Sequence, residues 1–311
     1  LYKNRVVHVV VPAHDEEAFV GEVIAHMPTF VDAILVIDDC SGDGTAAAAA
    51  RVGDARCRVL RTSRNLGVGG STALGYREAL AAGAEIVVKM DGDAQMRPED
   101  LPSLLDALIE GGADYAKGNR FLGDGDVRAM PVGRFAGNLV LTFLTKLASG
   151  YWHVFDPQNG FTAARAAALR PLPLARLHPR FFFENDMLVH LNVQNRRVVD
   201  VAMPAVYGDE RSDVRFGHVL ATFPLLLLHR FAWRIGVKYV VRDFSPIGLF
   251  LLCGVPAFLW GIAYGGYLWL HSYLTGLPTP TGSIMLALVP IVLGFQLILQ
   301  AVVLDIQATP R

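Results

Sequence analysis

Glu85-Ile86-Val87-Val88-Lys89-Met90-Asp91-Gly92-Asp93-Ala94-Gln95 places two carboxylates and an amide directly after a short apolar run. A run of that length with β-branched residues at its centre predicts a strand, and its unbroken apolar character predicts burial on both faces. In an open α/β sheet, ligands bind in the crevice beyond the carboxyl ends of the strands. Two carboxylates crowded there repel unless a cation or a proton lies between them. Asp91, Asp93 and the Gln95 carbonyl offer hard oxygen donors of the kind Mg2+ or Mn2+ takes, and such ions commonly hold substrate phosphates too. The stretch predicts a metal–diphosphate site. An acidic turn capping the helix that begins near Pro98 is the plainer alternative.

Around it, short apolar runs at 6–11, 33–37, 58–60, 85–90 and 113–117 alternate with helical patterns at 17–27, 44–52, through 76–82, and 98–110. Continuous apolar strands between helices indicate a mostly parallel sheet covered on both faces, with right-handed crossovers. The expectation is a doubly wound α/β domain over 1–215. Its later part, from 119, is less regular and suits the acceptor side of a cleft, with helices expected at 137–147 and 185–191.

The C-terminal third is different. Residues 219–241 are apolar but carry Arg230, Arg234 and Lys238, and Arg242 continues the four-residue spacing along one helix face. A basic amphipathic helix over 216–246 is expected to lie among lipid headgroups, with an ordinary surface helix as the alternative. Residues 247–270 and 283–304 hold no charge, and each is long enough to cross about 30 Å of hydrocarbon. A two-helix anchor over 247–311 follows, with Asp305 tolerable only at a helix end. The intervening 271–282 has no Lys or Arg, so the positive-inside rule puts the catalytic domain in the cytoplasm, on the cytoplasmic or inner membrane.

Composition excludes some classes. A net charge of −1 argues against a general nucleic-acid binder. Cys40, Cys57 and Cys253 form neither a zinc spacing nor a disulfide framework, which fits a reducing compartment. The opening Leu1-Tyr2-Lys3-Asn4-Arg5 reaches charge at once and is not expected to be a signal peptide.

Other strand ends carry further candidates. At Val10-Val11-Pro12-Ala13-His14-Asp15-Glu16-Glu17, Pro12 ends ladder pairing and frees the backbone of Ala13 and His14 for a base or ribose. Glu16 suits either a ribose hydroxyl or the helix N-terminus. After the second strand, Asp39 is the choice for a base N–H or ribose, whereas Ser41 and Asp43 suit helix caps. Arg64-Asn65-Leu66-Gly67-Val68-Gly69-Gly70-Ser71 falls after the third strand, so it is no dinucleotide fingerprint. It suits a close turn packed against a base or ribose, with Asn65 and Gly67 in that role, and Lys89 joins the nucleotide-facing set.

Taken in order, V-P-A-x-x-E-E, V-I-D-D-x-S-x-D-x-T, R-N-x-G and D-G-D-A-Q resemble the inverting family 2 glycosyltransferases of GT-A fold. Within them, the chain is similar over 6–215 to the dolichol- and polyprenyl-phosphate sugar synthases. The resemblance implies a nucleotide-sugar donor, Mg2+ or Mn2+, and a polyprenyl or dolichyl phosphate acceptor in the bilayer. It puts Asp91, Asp93 and Gln95 on the metal and diphosphate, and Pro12, Ala13, Glu16 and Asp39 on the nucleoside. Gly118-Asn119-Arg120 is like the family's G-S-R, and Asp156-Pro157-Gln158-Asn159-Gly160-Phe161 like its D-x-x-S-G-F. Arg134, four residues before Asn138, is similar to an acceptor-phosphate arginine, and Arg120 and Arg134 suit bidentate anion clamps. Phe182-Phe183-Glu184-Asn185-Asp186 resembles the acidic segment near the acceptor, and Glu184 or Asp186 is the base if the acceptor is a hydroxyl. Arg211 or Arg215 stands in for an arginine that some relatives carry near Tyr207. Gln194-Asn195-Arg196-Arg197-Val198 lacks the tryptophan of processive synthases, which favours a single transfer. Hexose transfer to the lipid phosphate is the expected activity, and a homo-oligomer is compatible with it. A lipid-linked saccharide acceptor, a silent sugar-nucleotide-binding subunit and a nicotinamide oxidoreductase are the alternatives. The last lacks a glycine turn after the first strand.

Overall fold

Alternate residues of β1 (Val7–Ala13) enter two separate cores, and this decides the layering. Val7, Val9 and Val11 pack with Val20, Val23 and Ile24 of α1 (Val20–Ala25) and with Leu101, Leu104, Leu105 and Leu108 of α4 (Leu101–Ile109). Val10 turns the other way, onto Ala73, Tyr76 and Ala79 of α3 (Val68–Ala81) and toward Phe183, Met187 and Leu188 of α7 (Phe183–Val193). The computed structural model describes residues 1–122, 132–157, 159–204 and 216–310, with 132–139 and 216–221 described by backbone alone.

The remaining strands are β2 (Ala33–Asp38), β3 (Cys57–Arg61), β4 (Ile86–Lys89), β5 (Tyr115–Asn119), β6 (Thr162–Arg165) and β7 (Val198–Ala202). They form one sheet in the order β3-β2-β1-β4-β6-β5-β7. Every pairing is parallel except those of β6, which runs antiparallel to both β4 and β5. Reversed polarity brings the loop before β6, residues 156–161, to the edge where β4 and β5 end. Helices α2 (Thr45–Arg51), α5 (Val132–Ser149), α6 (Ala166–Leu169) and α8 (Phe216–Gly236) complete this part.

The expected elements are present, and two strands that the sequence reading left unassigned, β6 and β7, join them. The first helix starts three residues later than its pattern suggested. The cause is that Thr45 Oγ1 accepts the Glu16 N–H at 2.8 Å and Asp43 Oδ2 the Glu17 N–H at 3.0 Å, which holds this segment in a loop. Gly75 of α3 lies so close to β1 that an added Cβ would meet Val10 Cγ1 at 2.2 Å. Gly75→Ala is therefore expected to cost about 1–3 kcal/mol through overpacking, read as a lower thermal midpoint.

Two compact units are present, Leu1–Phe231 with the last two residues, and Ala232–Thr309. The second holds a π-helical turn (Val237–Arg242), α9 (Pro246–Thr275) and α10 (Thr281–Gln307). By length and composition both long helices can cross a membrane, at mean hydropathy 2.0 and 2.3. Their outward Leu, Ile, Val and Trp side chains are exposed, unlike those of a soluble protein's core helix. Small residues let them approach: a Cβ on Gly294 would lie 2.6 Å from Phe258 N, and one on Gly261 2.7 Å from the Ala287 carbonyl.

Two cations of the basic face over 230–242, Arg234 and Lys238, are buried within the protein. Arg234 is wholly enclosed, holding Asp305 through two bonds of 2.7 and 2.8 Å, and Tyr239 donates its hydroxyl to the same carboxylate at 2.6 Å. Lys238 is also buried, whereas Arg242 is exposed. Charge spacing identified the face; an anionic partner distant in the chain turned much of it inward.

Candidate active site

The loops after β1 and β2 are laced together, and this fixes one side of the sheet's ligand edge. Asp39 is 2% exposed and accepts the N–H groups of Leu66 at 2.8 Å and Gly67 at 2.7 Å, plus the Thr62 hydroxyl at 3.1 Å. The carboxylate thereby shapes the turn into α3, where Gly67 has φ of +78°. His14 Nδ1 lies 2.8 Å from the Asp39 carbonyl. A carbonyl only accepts, so the proton is on Nδ1, and Nε2 takes the Asn65 amide at 3.2 Å. His14, Asp39, Asn65 and Gly67 thus gather around one turn; contrary to expectation, ladder pairing runs on through Pro12 and Ala13, opposite Ile37 and Asp38, and the Ala13 carbonyl accepts the Asp39 N–H at 2.8 Å. Ser41 serves this lacing by accepting the Asp15 N–H at 3.0 Å, while Asp43 accepts the N–H of Thr45 at 3.0 Å, at the start of α2. Asp15, Cys40 and Ala94, one in each loop after β1, β2 and β4, have φ of 58–59°, a conformation costly for residues with a Cβ and typical of functional edges.

Asp91, Asp93, Gln95, Arg120, Asn159 and Gly160 line one cavity at this edge. Asp93 Oδ1 accepts the Gln95 N–H at 3.0 Å, and Met96 Sδ lies 3.3 Å from the Asp91 N–H. Gly92 keeps the motif against the end of β1, since a Cβ there would stand 3.2 Å from that of Ala13. Asp91 Oδ1 is buried without a hydrogen-bond partner of its own; it makes an ion pair, at 2.9 Å, with Lys89 Nζ. A Cβ on Gly160 would fall 2.5 Å from both Asp91 Oδ2 and Lys89 Nζ, so only glycine lets the 156–161 loop close over them. Among the described residues no three His, Cys, Asp or Glu side chains cluster as a self-sufficient metal cage. The donors nonetheless fit Mg2+ or Mn2+: two hard carboxylates, Asp91 and Asp93, and the Gln95 amide oxygen line one cavity, with substrate phosphates to complete the shell.

Two lysines lie enclosed beneath. Burial, the largest influence on Lys89, opposes its charge, but Asp91 and Glu184 outweigh it and hold the ammonium protonated above the ordinary lysine range. Lys117 on β5 donates to the Asn159 carbonyl, and burial pushes it down to about 8 despite Asp156, Glu184 and Asp200. Burial also raises Asp200, which accepts from Asn119 Nδ2 at 2.6 Å.

Asp156 grips Arg120 through Nε at 2.8 Å and Nη2 at 3.0 Å, placing the residue on the cavity lining. Glu184 Oε1 accepts from Lys89 at 3.0 Å. Asp186 is fully buried; its two oxygens lie 2.8 Å from Arg230 Nε and Nη2, and one also accepts the His178 N–H. That engagement suits anchoring α8 to α7 better than moving a proton. Arg134 and Asn138 lie on α5, with their side chains outside the described residues; Gln158, Tyr207, Arg211 and Arg215 lie outside them entirely. The reading of single residues missed Asp156 as the partner that orients Arg120, although both stood in quoted motifs.

A parallel sheet broken by one reversed strand, with an acidic D-x-D-x-Q turn at its ligand edge, defines a GT-A glycosyltransferase. The chain belongs to the Glycosyl transferase family 2, whose pattern matches residues 8–172. It is 26% identical over 237 residues to the UDP-N-acetylglucosamine–dolichyl-phosphate N-acetylglucosaminyltransferase of Methanococcus voltae, covering 71% of this chain and 94% of that one. It is 32% identical over 158 residues to the polyprenol monophosphomannose synthase of Mycolicibacterium smegmatis, covering 50% and 59%. The fold matches glucosyl-3-phosphoglycerate synthase from Mycobacterium tuberculosis, solved with Mn2+, UDP-glucose and phosphoglyceric acid, at a TM-score of 0.57 and 24% identity over 74% of this chain and 81% of that one.

Proposed function

We propose that this enzyme transfers a hexose from a nucleotide sugar of the GDP-mannose or UDP-glucose type to a polyprenyl or dolichyl phosphate, with inversion, at the cytoplasmic face of a membrane that α9 and α10 span. The observation that carries this reading is the pairing of Asp91, Asp93 and Gln95 with the Asp156-held Arg120 around one cavity. Asp91, Asp93 and Gln95 would hold Mg2+ or Mn2+, which when bound would supply Lewis-acid stabilisation of the charge on the leaving nucleoside diphosphate. The Asp39-ordered turn positions the nucleoside. Arg120 orients the acceptor phosphate, and the loop closed by Gly160 excludes water from one side. A phosphate is already ionised at neutral pH and needs no strong base, which agrees with both candidate bases being committed to cations, Glu184 to Lys89 and Asp186 to Arg230. A hydroxyl acceptor would require one of them to be released.

The test is incubation of membranes with a panel of labelled nucleotide sugars and polyprenyl phosphate, followed by identification of the lipid product. Absence of a labelled lipid with every donor would rule the reading out. Arg120→Ala is expected to raise KM for polyprenyl phosphate roughly 10–100-fold, the worth of charged hydrogen bonds, with a much smaller change in KM for the donor.

A further inference from the structure

Lys89 touches both the acidic turn and the acceptor-side helix. The residue is 1% exposed, and its ammonium lies 2.9 Å from Asp91 Oδ1 and 3.0 Å from Glu184 Oε1, the latter contact spanning 95 residues of sequence. It sits within the closure made by Gly160. Asp91 Oδ1 is turned toward this ammonium and is otherwise without a partner.

We infer that Lys89 is a built-in placeholder for the metal: its ammonium neutralises Asp91 in the metal-free enzyme, and Glu184 is the second seat that takes the ammonium when a divalent ion claims Asp91. This rests on the metal reading proposed above and deepens it. The physical need is clear. An ion on Asp91 would stand within a few ångströms of Lys89, and two cations that close repel each other. Glu184 supplies a carboxylate at hydrogen-bond distance on the far side of the ammonium, so the lysine can yield Asp91 without being left as an unpaired buried charge. Lys89 and Glu184 are then positioning residues, acting on the metal through Asp91. They set how tightly it is held, and with it the ease of its release together with the nucleoside diphosphate.

The experiment is a titration of the full chain in detergent with Mn2+ alone, free ion being read by electron paramagnetic resonance without nucleotide. Glu184→Gln leaves Lys89 with Asp91 as its remaining carboxylate and should weaken Mn2+ binding about tenfold; Lys89→Met removes the competing charge and should tighten it by a similar factor. A structural role alone would weaken binding in both variants. Should Lys89→Met not fold, the Lys89→Met/Glu184→Gln double variant, free of both buried charges, is compared with Glu184→Gln and should bind Mn2+ at least about tenfold more tightly. Wild-type binding with no tightening on loss of Lys89, in whichever of these two comparisons folds, overturns the placeholder. Wild type that binds no Mn2+, whether alone or after a nucleoside diphosphate is added, overturns the metal reading itself, and the placeholder with it.

Discussion

Asp93→Ala is expected to lower sugar transfer by about a thousandfold or more, since a loss of about 4 kcal/mol in transition-state stabilisation corresponds to that factor. The size follows from where Asp93 stands. It lines the same cavity as Asp91 and Gln95, its backbone turn is braced by the Gln95 N–H, and Ala94 beside it is held at φ of 58°. A unit charge pair about 4 Å apart contributes about 4 kcal/mol at an effective dielectric near 20, so losing one carboxylate from an ion's shell removes much of the pull on a departing diphosphate. The substitution lies in a loop outside both apolar cores, so circular dichroism and the thermal midpoint should stay near those of the wild type. Near-normal turnover of the variant in Mg2+ or Mn2+ would refute the metal assignment.

Asp305→Ala is expected to cost about 3–5 kcal/mol, because it strips an enclosed guanidinium of its carboxylate. Arg234 is wholly buried, and Tyr239 shares the same acceptor, so the deletion disturbs two donors at once. In detergent, the thermal midpoint of the full chain should fall by roughly 10 °C or more. Arg234→Met combined with Asp305→Leu replaces the pair by apolar groups and should recover most of the loss. A single variant as stable as the wild type would show that the ion pair is not what holds this end of α10.

Much of the nucleotide half was legible because its information is local. β1, β2 and β4 are unbroken apolar runs, and each is followed at once by the polar residues that form the site edge. β6 escaped because Thr162-Ala163-Ala164-Arg165 is four residues with little β-propensity; its place comes from pairing with β4 and β5, not from its own composition. The side-chain partners escaped for a related reason. Lys89 meets Glu184, Arg230 meets Asp186, and Arg234 meets Asp305 at separations of 95, 44 and 71 residues. Periodicity says which face a charge occupies, and only the folded chain says what that face meets. The assignments of Arg134, Asn138, Gln158 and Arg211 fall where no side chain is described.

The reversed strand also imposes an order on assembly during synthesis. β1 to β4 and their helices are complete by residue 109, a span of neighbouring elements that can pair as they emerge. Gly160 reaches its seat against Asp91 only once β6 has threaded between β4 and β5, after both of those strands have left the ribosome. Non-local pairing of this kind is slow to nucleate. A chain stalled before residue 162 should therefore possess the laced loops after β1 and β2 with an uncovered acidic turn, and complete the cavity beside Asp91 last.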